Sequence, residues 1–337
     1  MRRWVLDKAA TDVSGLRIQE VAVPQPGPHE VRVRVQAASF NRRDQMVLSG
    51  IYGRAGLRDL VPLSDGAGVV DALGEGVQRW RLGDRVAATY FANWQDGPPR
   101  TDMGLGLGAG DEDGMLSEYV VLAEDRLVAI PNAIDMTTAA TLPCAALTAW
   151  NAVMGGLQPL AAGHSLLALG TGGVSLFALQ FAGAAGAVLH ATSSSEAKCA
   201  KLRDLGVKTC HDYSRDDQWG AAIFAATGGV DKVVDVGGAG TMNNSLAALR
   251  PEGEVAMVGF LAGNGEPPDP YLLQGKQAII RGVAVGSAHQ FEEMTRFIVR
   301  HRIEPVIAAV LPFEDAPRAY GLQDAPEIFG KVVISVC

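Results

Sequence analysis

The chain has 337 residues, 48% of them hydrophobic and 20% charged, with a formal net charge of −8. That length suits two domains that each bury a core without metal or disulfide staples. The acidic balance argues against a surface built for nucleic acid or anionic lipid, so neither is an expected partner.

The start is basic, but Asp7, Lys8 and Asp12 interrupt it and no apolar run follows, so a secretory signal is not expected. The first 125 residues read as mainly β. Val31-Arg32-Val33-Arg34-Val35 alternates strictly, and Gly66–Val70 and Asp84–Ala88 are further short strand candidates. Turn signals at Pro24–Pro28, Leu73–Gly76 and Leu82–Asp84 separate them, as in a barrel or sandwich. Residues 93–114, rich in Gly, Pro and Asp, read as a long surface loop. Thr137 to Met154 is Ala-rich and helical, with Pro143 as a kink or start.

From Ser165 apolar runs alternate with helical patterns. Strands are expected at 165–169, 187–192, 231–236, 254–259 and 279–285, with helices near 174–184, 196–205 and 241–249. This alternation predicts an α/β fold with a doubly wound parallel sheet. Residues 165–189 are apolar enough to span a bilayer. Gly170, Gly172 and Gly173 nevertheless cluster inside them, and no Lys/Arg asymmetry flanks them, so a buried strand followed by a buried helix is the expectation. The tail reads as a helix near 290–302, a segment Phe313–Gly321 and a closing strand Lys331–Val336.

Four cysteines, Cys144, Cys199, Cys210 and Cys337, show neither metal-ligand spacing nor a short disulfide framework. A reducing, cytoplasmic setting is the expectation.

The run Leu169-Gly170-Thr171-Gly172-Gly173-Val174-Ser175 follows a strand and opens a helix, the context of a dinucleotide fingerprint. Gly170 permits the tight turn, Gly172 lets backbone N–H groups approach a pyrophosphate, and the helix N-terminus supplies positive potential. Ser175 stands where a third glycine is usual. About 20 residues on, an acidic residue would bind the ribose of NAD. Here the second strand ends in Ser193, Ser194 and Ser195, with Lys198 beyond. Hydroxyls and a cation favour NADP (NADPH) over NAD.

Together with Asn41–Asp44, Ser49–Gly53, Pro62–Val70, Gly83–Val86, Leu142–Trp150 and Phe329–Val333, this run resembles the medium-chain dehydrogenase/reductase superfamily. The closest resemblance is to its zinc-independent, quinone oxidoreductase-like branch, over essentially the whole chain. The resemblance implies a GroES-like β domain, residues 1–124 and 289–337, that holds the substrate. It implies a Rossmann NADP-binding domain at 125–288. It also implies that Thr148 lies near the nicotinamide, Tyr213 near the adenosine phosphate, and Gly237 and Gly259 at strand ends that the cofactor passes. The strand 278–285 is similar to the edge through which family members form homodimers.

Zinc relatives use a Cys, a His and a second Cys; the matching positions are Asn41, Ser64 and Cys144. One thiol does not satisfy a catalytic zinc, which takes three protein ligands, so no zinc is expected. The expected reaction is then hydride transfer from NADPH to a quinone or an α,β-unsaturated carbonyl, with Asn41 and Tyr52 as hydrogen-bond donors to the developing oxyanion. A second tyrosine found in some quinone reductases is Met46 here. Arg42, Asp44, Asp65 and Cys144 are read as structural. Two alternatives stand beside this reading: a metal-free alcohol or aldehyde oxidoreductase, and an NADPH-binding protein without turnover.

Overall fold

The structure is a computed structural model, and it describes residues 1–53 and 58–336. Contacts divide the chain into two compact units, 1–147 with 286–337, and 148–285. The joins expected at 124/125 and 288/289 fall inside the first unit. The reason is local: Leu127–Ala129 pairs with Val86–Ala88 and so belongs to the first unit's sheet.

The first unit opens with an antiparallel hairpin, β1 (Arg2–Leu6) and β2 (Leu16–Glu20). There follow β3 (Glu30–Ser39), α1 (Arg42–Leu48), β4 (Asp65–Leu73), β5 (Arg85–Ala88), β6 (Tyr119–Ala123), β7 (Leu127–Ala129) and α2 (Met136–Ala139). The alternation in β3 does what period-2 patterning requires: Val31, Val33 and Val35 enter the core while Arg34 faces solvent. Pro143 sits in a π-helical turn, Leu142–Ala146, that leads into α3 (Leu147–Met154).

The second unit alternates strand and helix: β8 (Ser165–Leu169), α4 (Gly173–Ala184), β9 (Val188–Ser193), α5 (Glu196–Asp204), β10 (Thr209–Asp212), α6 (Trp219–Thr227), β11 (Val230–Asp235), α7 (Met242–Ala248), β12 (Leu249–Met257), α8 (Pro270–Lys276) and β13 (Ile279–Gly282). All six strands are parallel, in the order β10-β9-β8-β11-β12-β13. The order reverses between β8 and β11, the switch point at which open α/β sheets bind ligands. The apolar stretch 165–189 therefore divides into β8, α4 and β9, and no helix among the described residues is long and apolar enough to cross a membrane.

The chain returns to the first unit through α9 (Ala288–His301), β14 (Ile307–Pro312), α10 (Ala316–Gln323) and β15 (Lys331–Ser335). Ser287 caps α9, accepting from the Gln290 N–H, while the Gln290 side chain accepts from the Ser287 N–H. The seven-stranded sheet runs β14-β15-β3-β4-β5-β7, with β6 also on β3. Its core gathers Val31, Phe40, Leu63, Val86, Leu116 and Tyr320.

Two features of the second unit were not legible as motifs. Cys199 on α5 and Cys210 on β10 are joined by a disulfide, contrary to the expectation of no disulfide framework. Helix and edge strand run side by side and bring the two together. Lys232, Glu254 and Arg281, on three neighbouring strands, form an ion triad with Nζ–Oε1 3.1 Å and Nε–Oε1 2.9 Å. Its two cations also donate to the last carbonyls of α3, where a helix C-terminus favours positive charge.

Candidate functional site

The glycine turn caps the second unit's sheet. Gly170 has φ +76, a left-handed conformation that an L side chain adopts only with strain. Its N–H donates to the Thr192 carbonyl at 2.9 Å, tying the end of β8 to the end of β9. Gly172 is the N-cap of the twelve-residue α4 and is extended, at φ −78 and ψ 174. A Cβ there would meet nothing within 4 Å. Neither its backbone nor its neighbours require glycine, so the open approach to the helix N-terminus is what its missing side chain leaves. Ser175 is buried and donates to the Leu169 carbonyl at 2.6 Å. That bond stitches helix to strand where a third glycine would pack. Thr171 is buried, and Gly173 and Val174 are half-buried in the first turn.

The serine–lysine segment divides in two. Ser193, the last residue of β9, is 1% exposed, and its Oγ has no hydrogen-bond partner among the described residues. Ser194 is exposed, Ser195 caps α5 on the Lys198 N–H, and Lys198 is half-buried. Glu196 is held by Arg203 at 2.6 Å, which offsets its charge beside the serines. Tyr213 is 41% exposed, and its N–H reaches the Ser193 carbonyl at 3.0 Å, so β9 and the turn after β10 meet. Thr148 is buried at the start of the unit.

Gly237 and Gly259 have a different origin. Asp235, fully buried, accepts from the N–H groups of Gly237 and Gly238 at 2.8 and 2.9 Å and from the hydroxyls of Thr241 and Ser245. A Cβ on Gly237 would lie 2.3 Å from Thr241 Oγ1, and one on Gly259 would lie 2.7 Å from the Val236 carbonyl oxygen. Packing around Asp235 accounts for both glycines.

The first unit carries a buried polar cluster. Asn41 caps α1, and its N–H donates to the Asp44 carboxylate at 2.8 Å. Its Oδ1 accepts from Lys331 Nζ at 2.5 Å, and its Nδ2 points to Ser64 Oγ at 3.4 Å. Ser64 donates to Asp65 Oδ1 at 2.6 Å, and Asp65 Oδ2 accepts from the Cys144 N–H at 3.2 Å. Lys331 is 3% exposed and also donates to the Phe40 carbonyl. Burial pulls its ammonium down from the lysine range, against Asp65, Cys144 and Asp44, which favour its charge. Burial lifts Asp44 to about 6 against Arg43, and raises Asp65 against Lys331. Desolvation, then Asp65, push the Cys144 thiol far up.

Tyr52 lies beside this cluster, packed on Val47, Leu60 and Ala109. Its hydroxyl reaches the Leu105 carbonyl at 3.3 Å and the Tyr90 hydroxyl at 3.5 Å. The Arg43 guanidinium lies 5.3 Å from both ring centroids. Tyr90, 4% exposed, was missed because it stands in a stretch without periodicity; so was the role of Lys331, visible only as part of a closing strand. Arg42 instead pairs with Asp324 at the surface, 2.5 Å away.

The positions of the family's zinc ligands thus hold an amide, a hydroxyl and a thiol, with an ammonium already bound to the amide. Zn²⁺ takes thiolate, imidazole or carboxylate, and this set does not fit it. Among the described residues no group of three or more His, Cys, Asp or Glu is placed to hold a metal ion.

Two family models cover the chain in tandem: an alcohol dehydrogenase GroES-like domain at residues 27–132 and a zinc-binding dehydrogenase domain at 173–300. A zinc-type alcohol dehydrogenase-like protein of Schizosaccharomyces pombe is 38% identical, over 99% of both chains. The chain belongs to the medium-chain dehydrogenase/reductase superfamily. A quinone oxidoreductase of Pseudomonas aeruginosa is 34% identical over 74% of this chain and 70% of its own. The crystal structure of an NAD-dependent alcohol dehydrogenase superposes with a TM-score of 0.89 at 31% identity, covering 100% of both chains. The superfamily's GroES-like domain and parallel Rossmann sheet are the two units described above, and the alcohol dehydrogenase and quinone oxidoreductase relatives are oxidoreductases.

Proposed function

We propose that this superfamily member reduces a quinone or an α,β-unsaturated carbonyl with NADPH and without zinc. The observation that carries the reading is Lys331 Nζ on Asn41 Oδ1. With a cation already bound there, the cluster serves hydrogen bonding better than metal binding.

The dinucleotide would lie on Gly170–Val174 with its pyrophosphate at the α4 N-terminus. Ser193 and Ser194 hydroxyls and Lys198 would take the 2′-phosphate, and Tyr213 would lie by the adenosine. Gly237 and Gly259 would border its path, and Thr148 would hold the nicotinamide. When bound, the cofactor supplies a hydride. In the chain itself, Asn41 Nδ2–H donates to the substrate oxygen as enolate or hydroquinone charge develops there. The Tyr52 hydroxyl, backed by Tyr90, gives a proton.

A second reading, oxidation of an alcohol, is favoured by the alcohol dehydrogenases among the relatives. NADPH consumption with 1,2-naphthoquinone and 2-cyclohexenone, set against NADP⁺ reduction with a panel of alcohols, separates the two. The proposal expects turnover in the first pair, and activity on alcohols alone would refute it.

We further propose a homodimer through β13, an edge strand whose outer backbone groups lack a partner strand among the described residues. Light scattering should return about twice the 35.4 kDa chain mass, and a monomer mass would exclude the dimer. Sparse cysteines support a cytoplasmic setting, against which the Cys199–Cys210 bond weighs.

A further inference from the structure

A carboxamide has two ends of nearly equal shape and opposite polarity, and a half-turn about its last torsion exchanges them. A donor to an oxyanion therefore needs something that keeps its N–H end outward. Asn41 has such a partner. Lys331 begins β15, and its ammonium is buried against the Phe40 carbonyl and Asn41 Oδ1. An ammonium has donors only. The flipped amide would set NH₂ against NH₃⁺, forfeit a charge-assisted hydrogen bond and leave a buried donor unmet. The retained orientation sends Nδ2 toward Ser64 Oγ. Ser64 is polarised in turn, since its own proton goes to Asp65. The same N–H end also serves the Asp65 carboxylate, so Nδ2 faces two buried acceptors.

We propose that Lys331 is a positioning residue. It locks the Asn41 carboxamide with its N–H end as the donor end, so an oxyanion that takes a hydrogen from Ser64 or Asp65 meets a donor of fixed polarity. The inference rests on the reading of Asn41 as that donor. Lys331 itself touches neither substrate nor cofactor. The ammonium does by electrostatic orientation what a tightly packed hydrogen-bond shell does elsewhere, and it spends no reorganisation at the moment of reaction.

The test is a double-mutant cycle on the full-length protein, with kcat and KM for 1,2-naphthoquinone at saturating NADPH and NADPH affinity by fluorescence titration. Asn41→Ala should lower kcat by about 100-fold, the size of a lost oxyanion donor. Lys331→Met should lower kcat at least about tenfold with NADPH affinity unchanged, and Lys331→Arg should restore part of the loss. In the Asn41→Ala background Lys331→Met should cost nothing more. Wild-type kcat in Lys331→Met, additive losses in the double variant, or weakened NADPH binding with kcat intact would each overturn the inference while leaving Asn41 as the donor. Wild-type kcat in Asn41→Ala would overturn the donor reading itself. Lys331→Met leaves Asp65 and Asp44 buried without their cation. If it does not fold, Lys331→Met with Asp65→Asn is compared with Asp65→Asn alone, and equal kcat in those two overturns the inference.

Discussion

At the scale of single residues, the fold requires glycine at Gly170, Gly237 and Gly259 and does not require it at Gly172. Gly170 is held by its positive φ, and Gly237 and Gly259 by neighbours that leave no room for a Cβ. Gly172 is held by nothing within the chain. Gly172→Ala should therefore leave the thermal midpoint unchanged and weaken NADPH at least about tenfold, equivalent to about 1.4 kcal/mol. Lys198→Ala in the same titration should weaken NADPH and spare NADH. A Gly172→Ala protein that binds NADPH normally would remove the pyrophosphate from this turn. The residues of that turn were legible because a strand, a tight turn and a helix leave a local signature. Lys331 and Tyr90 were not, since each meets its partner through tertiary structure: β15 pairs with β3 from about 300 positions away, and Tyr90 reaches Tyr52 across a loop.

At the scale of elements, periodicity located the central strands and their helices well. β8 and the start of α5 fall where they were expected. The edges read less well. β10, Thr209–Asp212, has a half-buried pattern with no apolar run to mark it. β12 begins at Leu249, five residues before the expected start, because Pro251, Gly253 and a left-handed Glu252 resemble a turn yet continue the strand. The Cys199–Cys210 bond ties this weakly patterned edge to α5 across a sequence separation of 11. Closing so short a loop removes chain entropy from the unfolded state amounting to about 2–3 kcal/mol. Reduction with a phosphine should lower the thermal midpoint by several degrees. Cys199→Ala with Cys210→Ala should be insensitive to the reductant. An unchanged midpoint on reduction would show that the bond contributes no net stability.

At the scale of the whole molecule, two units with separate cores carry one candidate cluster each. The glycine turn stands at the switch point of a parallel sheet, and the donor cluster stands where β15, β3 and β4 come together. The fold class was legible because alternation of strand and helix is a long-range pattern repeated many times. That Asn41 and Ser64 match the positions of zinc ligands was legible only through the family resemblance; the cation on Asn41 required the structure. The central claim is that hydride goes to the carbon of an activated double bond rather than to a carbonyl carbon. NADPH doubly deuterated at C4, turned over with 2-cyclohexenone and read by NMR, tests it directly. The account predicts cyclohexanone with one deuterium at the former β-carbon. An allylic alcohol with deuterium on the carbinol carbon would contradict it.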